Sequence, residues 1–535
     1  MNSLANNRIT RLVMPLFVAV MLSGCTSLSE YIHNGLKVGP NYHQPSASVA
    51  PHWIDDADKR VRKDSDDLSQ WWKVFNDPEL DSLICQAYKQ NISLREAGFR
   101  VLQARALRGI AVGELFPQSQ SVTGNYTRSA YSLDALKNSP FTAGLGAGTG
   151  AGPAATINRY LGTTQVNFGL AWEVDFWGRF RRAVEAADAD LDASVEGYDD
   201  VLVTLLGDVA TNYVHFRILQ EQIRLLGENV RLQKVTLKFV QTQFEVGKTT
   251  EVDPAQATST MEQTIAQIAQ TKGQLRQTTN RLCVLLGMPP QELESRLSNS
   301  KIPEAAKEVA AGIPADLLRR RPDVRRAERQ AAAESARIGV AQAEFYPHIS
   351  INGTLGWQAP KLQQLFKPAS FQGSYGPSFQ WDVLNYGRIL NKVRYQRAKF
   401  EEVVATYQNK VLTAAEEVEN GMATFLNAHE QVEHLAKSVK AAEKAREIVF
   451  LQEKGGKIDF LRVSILEQNL VQQQNLLAQA KGDIALGLIQ VYRAAGGGWD
   501  IRAACGEDCK TGEAQPSVDM RARVGQPLAL SPTEK

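Results

Sequence analysis

Residues 166–176 read VNFGLAWEVDF. Val166, Phe168, Leu170, Trp172, Val174 and Phe176 fall on one parity, and Asn167, Gly169, Ala171, Glu173 and Asp175 on the other. Successive side chains of a strand point to opposite faces, so this alternation predicts a strand with one apolar face. A strand tilted across a bilayer needs about 9–11 residues, which this stretch supplies. A half-buried strand of a soluble sheet alternates in the same way, so the flanking sequence has to separate the two readings.

Shifted by 209 residues, the pattern recurs as Tyr375, Pro377, Phe379, Trp381 and Val383 against Gly376, Ser378, Gln380 and Asp382. The match runs on through Gly178 with Gly387, Arg179 with Arg388, Tyr198 with Tyr407, Val209 with Val418 and Gly247-Lys248 with Gly456-Lys457, and it ends at Gly287 with Gly496. Upstream the offset is 230, pairing Arg95 with Arg325, Gly109 with Gly339, Glu114 with Glu344 and Pro117 with Pro347. The chain is a tandem duplication in which the first copy carries about 21 extra residues between its two strands. A period this long marks a duplicated domain rather than a solenoid repeat.

Each copy predicts the same series: a helix, two strands, and a hairpin of long helices. In the first copy these are a helix over about 78–115, stopped by Phe116-Pro117, strands at 119–131 and 166–176, a helix to about 246, and a return helix ending at Leu286-Gly287. The long helix places Leu191, Val195, Tyr198, Leu202, Leu205, Val209, Tyr213 and Phe216 mostly three and four apart, as a coiled coil does. At 1.5 Å per residue it would be a rod of about 100 Å. The second copy predicts helices over 315–345, 388–453 and 460–495, with strands at 349–357 and 375–384. Gly247 and Gly456 mark the two hairpin tips, and Pro254 falls just inside the returning helix.

The amino terminus reads as an export signal: Arg8 and Arg11, an apolar run over 12–22, then Leu22-Ser23-Gly24-Cys25. That tetrapeptide resembles a bacterial lipobox, which implies cleavage after residue 24 and a diacylglycerol and N-acyl lipid on Cys25. Thr26 stands where lipoproteins kept in the inner membrane usually carry aspartate, so the resemblance points to the outer membrane. The predicted organisation is a signal peptide at 1–24, a lipid-anchored extended arm at 25–70, a first repeat at 71–300, a second repeat at 301–500 and a polar tail at 501–535. Cys505 and Cys509 form a small loop disulfide or stay free in an oxidising compartment, while Cys85 and Cys283 read as small core residues.

Net charge is +2 over 535 residues and 43% of the chain is hydrophobic. Nothing in this balance argues for a nucleic-acid partner, and no second apolar run is long enough for a transmembrane helix. The glycine-rich segment at 138–153 lacks the Gly-Lys-Ser/Thr of a phosphate-binding loop. His429 and His434 stand five residues apart, about 140° around a helix, which does not suit a zinc-protease pair. No enzyme, cofactor or metal site is predicted.

Four strands cannot close a barrel, and an open edge cannot face lipid, so the chain has to associate with copies of itself. Three copies supply twelve strands, enough for a water-filled lumen that the helices would extend as a tube. The residues also carry a resemblance. LLRRRPDVRRAE at 317–328, Ile338-Gly339, Ala341, Ala343 and Phe345-Tyr346-Pro347 resemble the signature of the outer-membrane efflux protein family, the TolC-like outer-membrane factors. Val38-Gly39-Pro40-Asn41-Tyr42, Asp175-Phe176-Trp177-Gly178-Arg179 and Leu285-Leu286-Gly287-Met288-Pro289 resemble its lipoprotein branch, which serves resistance-nodulation-division pumps. The resemblance implies a mixed α and β membrane protein: a homotrimer with a twelve-stranded β-barrel and a long coiled-coil periplasmic tunnel. It would dock through a periplasmic adaptor to an inner-membrane pump and pass drugs or metal ions. An outer-membrane conduit of type I protein secretion and a periplasmic structural spacer are the alternatives.

In the family the gate is at the periplasmic tips of the hairpins. Asp253 matches the tip aspartate of the first repeat, while Glu453 and Ile458 occupy its tyrosine and arginine partner positions, and Ile465 stands where an aspartate is often found. The candidate gate is therefore Asp253, Lys457, Asp459 and Arg462, with Asp253 expected to pair with Arg462 or Lys457.

Overall fold

The computed structural model describes residues 28–62, 68–130, 132, 160–294, 296–297, 301–306, 308–310, 312–455 and 457–501. Cys25, Gly456, Cys505, Cys509 and the segment 138–153 lie outside the described residues. The elements, in order, are α1 (Leu28–His33), β1 (Val61–Arg62), α2 (Pro78–Gln90), α3 (Ile92–Gly113), β2 (Ser119–Ala130), β3 (Tyr160–Val174), α4 (Arg179–Glu245) and α5 (Val252–Leu285). There follow β4 (Val309–Ala310), α6 (Leu317–Arg320), α7 (Pro322–Ala343), β5 (His348–Ala359), β6 (Phe371–Gln380), α8 (Arg388–Lys454) and α9 (Phe460–Ala494). Among the described residues no helix is long and apolar enough to cross a membrane.

The two long helices have 67 residues each, about 100 Å at 1.5 Å per residue. The helix expected over 78–115 is two helices, α2 and α3. Asn91 leaves the helical region with ψ 127°, its side-chain amide donates to the Leu285 carbonyl at 2.8 Å, and its Oδ1 accepts from the Leu94 N–H at 2.9 Å. A single asparagine thus caps the start of α3, the role its short polar side chain suits. The helix expected over 315–345 is likewise divided, because Pro322 disfavours helical backbone at Arg321 and then opens α7 from its first position.

The chain forms two compact units, and each draws on both copies of the sequence repeat. The described residues of the first fall within 28–48, 97–197 and 323–410 and hold the sheet β2-β3-β5-β6, antiparallel throughout. Each copy contributes one hairpin, and β3 pairs with β5 to join them. β3 ends at Val174, before the predicted Phe176, because Asp175 leaves the sheet to cap α4: its carboxylate accepts the Phe180 and Arg181 N–H groups, each at 3.0 Å. β6 starts and stops four residues earlier than the predicted 375–384.

The arm expected to stand apart from any core is instead partly built into it. Val38 is buried in the first unit beside Ala343 and Tyr346. In the second unit, whose described residues fall within 49–96, 198–322 and 411–501, Trp53 is buried with its indole N–H on the Gly312 carbonyl at 3.0 Å, and β1 pairs in parallel with β4. The core of this unit gathers Trp71, Trp72, Leu80, Ile84, Leu206 and Phe216. Arg217, fully buried, is held by Glu79 and by the Tyr213 hydroxyl, which in turn donates to Asp77 at 2.6 Å. Cys283 is buried, as its helical pattern implies.

Candidate functional site: strand faces and hairpin tips

The register of the sheet sorts its side chains by polarity. On one face, cross-strand rows read Val174, Ile349 and Phe379; Trp172, Ile351 and Pro377; Gln120, Leu170, Gly353 and Tyr375; Val122, Phe168, Leu355 and Gly373; and Val166, Trp357 and Phe371 beside Gly124. On the other they read Ser119, Ala171, Asn352 and Gly376; Ser121, Gly169, Thr354 and Ser374; Thr123, Asn167, Gly356 and Gln372; and Asn125, Gln165 and Gln358. Because strand side chains alternate with period two, one residue of slippage between β3 and β5 would mix the faces. The close approach of these two strands also fixes Gly356, where a Cβ would lie 2.3 Å from the Val166 carbonyl oxygen.

The apolar face is left open to the surroundings, with Val122 at 73%, Tyr375 at 91% and Phe379 at 73% exposure. An open apolar surface of this extent marks a face made for lipid or another protein. Aromatic side chains gather at both ends of it. At the end toward the helices Trp172 donates its indole N–H to the Leu115 carbonyl (3.2 Å), Trp177 to Pro347 (2.9 Å) and Trp381 to Phe345 (2.9 Å). At the far end the Trp357 ring lies 5.7 Å from both Phe366 and Phe371. Two aromatic belts bounding an apolar band are the pattern of a lipid-facing strand surface.

In the second unit the residues nearest the hairpin turns form one packed cluster from all four long helices: Val240 of α4, Ala257 of α5, Val449 of α8, and Phe460 and Val463 of α9. Just behind it lies a polar layer. Glu467, nearly buried, accepts from Thr236 at 2.8 Å and pairs with Arg446 at 3.1 Å, while Thr260 and Ser464 share a hydrogen bond of 2.8 Å. No motif in the sequence pointed to these residues. Their only signal is a few polar positions within an apolar stripe.

At the tips, Gly247 turns the chain with φ +68° and has open space around it. Asp253 accepts a hydrogen bond from Thr249 within its own turn, so within the chain its partner is Thr249 and not the expected Arg462 or Lys457. Asp459 caps α9 through the Leu461 N–H at 3.3 Å. The side chains of Lys457 and Arg462 are exposed. Asp253 instead acts on Glu453: burial, and then the nearby Asp253 carboxylate, push the Glu453 carboxyl above its ordinary range, with Lys454 opposing. Among the described residues no group of histidine, cysteine and acidic side chains is arranged to hold a metal ion.

The family model described as outer membrane efflux protein matches residues 83–288 and 313–497, one block in each copy of the repeat. The chain belongs to the outer membrane efflux protein family. The efflux protein is 26% identical over 501 residues to nodulation protein T of Rhizobium leguminosarum bv. trifolii, covering 93% of this chain and all of that one. It is 29% identical over 497 residues to the solvent efflux pump outer membrane protein SrpC of Pseudomonas putida, covering 91% and 98%. Among solved structures, the outer-membrane channel OprN is 30% identical with a TM-score of 0.76, covering 86% of this chain and 99% of that one. The efflux protein is therefore an outer-membrane channel component and not a member of an enzyme family.

Proposed function

We propose that three copies of the efflux protein close edge to edge into a twelve-stranded barrel in the outer membrane, with the apolar face toward lipid and the polar face toward a water-filled lumen. The observation that carries this reading is the sheet register. It leaves the outer edges of β2 and β6 unpaired beside an exposed apolar face. In lipid each unpaired backbone group would cost several kcal/mol, so β6 of one copy must meet β2 of the next, and cyclic closure satisfies every edge.

In this reading the paired long helices form the periplasmic tunnel, and their tips, with Asp253, Lys457, Asp459 and Arg462, are the gate. Inside one chain Asp253 is engaged with Thr249, which leaves Lys457 and Arg462, both exposed, among the tip cations that can meet a neighbouring copy. Residues 1–24 act as the signal peptide and Cys25 carries the lipid, with 25–70 as the arm that leads away from it. The solvent efflux relative is by its name the outer membrane protein of an efflux pump, and in this reading an inner-membrane pump joined through a periplasmic adaptor completes the assembly. Small molecules pass outward through it.

The deciding experiment is planar-bilayer conductance of the purified trimer. Discrete channels whose conductance rises in Asp253→Ala support the gated conduit. A chain that stays monomeric in detergent and never inserts overturns it. Palmitate labelling that is lost in Cys25→Ser tests the anchor separately.

A further inference from the structure

The polar face of the sheet has an unusual composition for a surface that meets water. In its four rows beyond the base, from Ser119 to Gln358, every side chain is Ser, Thr, Asn, Gln, Gly or Ala. Two of these groups are satisfied across the strands: Asn352 donates to Ser378, in the base row, at 2.7 Å, and Thr354 and Ser374 share a bond of 2.9 Å. Among the described strand residues of this face, charge appears only at the base, where the strands give way to the long helices, and there it comes in pairs. Arg179 meets Glu173 at 3.2 Å, with His348 on the other carboxylate oxygen at 2.8 Å, and Arg388 meets Asp382 at 3.0 Å.

Charge selection in a pore is made by rings of charged side chains or by aligned backbone carbonyls. A balanced ion pair projects little field, and what remains is screened over about 8 Å at physiological ionic strength. Asn167 lies six residues along β3 from Glu173, about 20 Å at 3.4 Å per residue, more than two screening lengths away. From Asn167 outward the described rows therefore present hydrogen-bonding dipoles and carry no charged side chain of their own.

We infer that the strand-lined part of the conduit does not sort its cargo by charge. Its rows suit small solutes of either sign or none, with no ring of carboxylates to concentrate cations. This rests on the barrel reading above, in which the polar face lines the lumen.

The test is the rate at which charged thiol reagents enter. Thr354→Cys, in the middle of the polar face, is reconstituted in planar bilayers and treated from the barrel side with a cationic and an anionic methanethiosulfonate. Each rate of current change is divided by that reagent's rate on a free thiol, and the unsubstituted protein is the blank. The scaled rates should agree within about threefold. Adding Ser374→Asp, directly opposite, should favour the cationic reagent by about tenfold. A tenfold preference before any charge is added overturns the inference and leaves the barrel standing, and so does a ratio that Ser374→Asp fails to move. If neither reagent alters the current, the polar face does not line the conduit, and the barrel reading itself falls. Should Thr354→Cys not assemble, Gln372→Cys, one row farther from the base, gives the same readout.

Discussion

The two strand-to-helix junctions are copies of one another, and their differences show where the duplicated halves parted. Both keep the same frame. Gly178 and Gly387 adopt φ of +79° and +80°, Arg179 meets Glu173 as Arg388 meets Asp382, and Trp172 bonds the Leu115 carbonyl as Trp381 bonds that of Phe345. Every one of these pairs obeys the repeat offsets of 209 or 230. Around that frame the first junction is covered and the second is bare. The arm lies over the first: Tyr31 donates to the Phe176 carbonyl at 2.7 Å, Arg181 reaches the Gly35 and Leu36 carbonyls, and Lys37 pairs with Glu185. Arg182, nearly buried, donates to the carbonyls of Val38 (3.1 Å) and Gly39 (2.9 Å), to Asn41 and to Glu185. In the second copy Arg181 and Arg182 are replaced by Leu390 and Asn391, Trp177 becomes Tyr386, and Tyr386 is 98% exposed. One element held in place by two arginines has thus made two equivalent junctions different.

Paired substitutions test how much of this contrast the arm supplies. The largest difference is expected at the glycines. A Cβ on Gly178 would lie 2.8 Å from the Lys37 Cα, whereas on Gly387 it would meet no atom closer than 3.7 Å. Both alanines carry the left-handed penalty of about 1–2 kcal/mol, and only Gly178→Ala adds a clash with backbone, for a total of about 2–5 kcal/mol. The denaturant midpoint of the detergent-solubilised protein should fall markedly for Gly178→Ala and slightly for Gly387→Ala. Equal shifts would mean that the arm does not press on the first junction.

Arg182→Ala comes next. It strips hydrogen bonds from two buried carbonyls, at a cost of about 2–4 kcal/mol, and should make residues 28–48 cleavable by added protease. Asn391→Ala, the repeat counterpart on an exposed helix face, should change stability by no more than about 0.5 kcal/mol and leave the cleavage pattern alone. Tyr31→Phe removes one hydrogen bond and keeps the ring against Phe176 and Trp177, so a loss of about 1 kcal/mol is expected by the same measurement.

The smallest effect is one of pH. Burial pushes the Glu185 carboxyl up, but its hydrogen bonds to Lys37 and Arg182 outweigh that and hold it below the ordinary carboxylate range. A depressed folded-state value stabilises the arm above the unfolded carboxylate range, and the contribution is lost as pH falls through the folded value. Amide exchange over residues 28–48 should therefore quicken as pH falls below the ordinary carboxylate range, and Glu185→Gln should flatten that dependence. The tip acid has the opposite sign. Glu453 is raised, so its neutral form favours the folded tip and stability there is lost as pH rises. Glu453→Gln should remove that loss without affecting the arm.

The sequence by itself determined the duplication, the two long hairpins and the alternation that separates an apolar from a polar strand face. All three are written in local periodicity or in comparison of the chain with itself, and need no knowledge of what lies nearby in space. It also located the tips, because Gly247 breaks a helical pattern that nothing else interrupts. Tertiary structure alone decided the rest. That β3 pairs with β5, and in the one register that aligns Phe168 with Leu355, depends on contacts nearly 190 residues apart. Only the folded chain sets Arg182 against the carbonyls of the arm, Asn91 against Leu285, and Glu467 between Thr236 and Arg446. Asp253 was legible as a tip residue, but its partner Thr249 and its influence on Glu453 were not, since the energy of a charge is fixed by its neighbours in space and by the water they exclude.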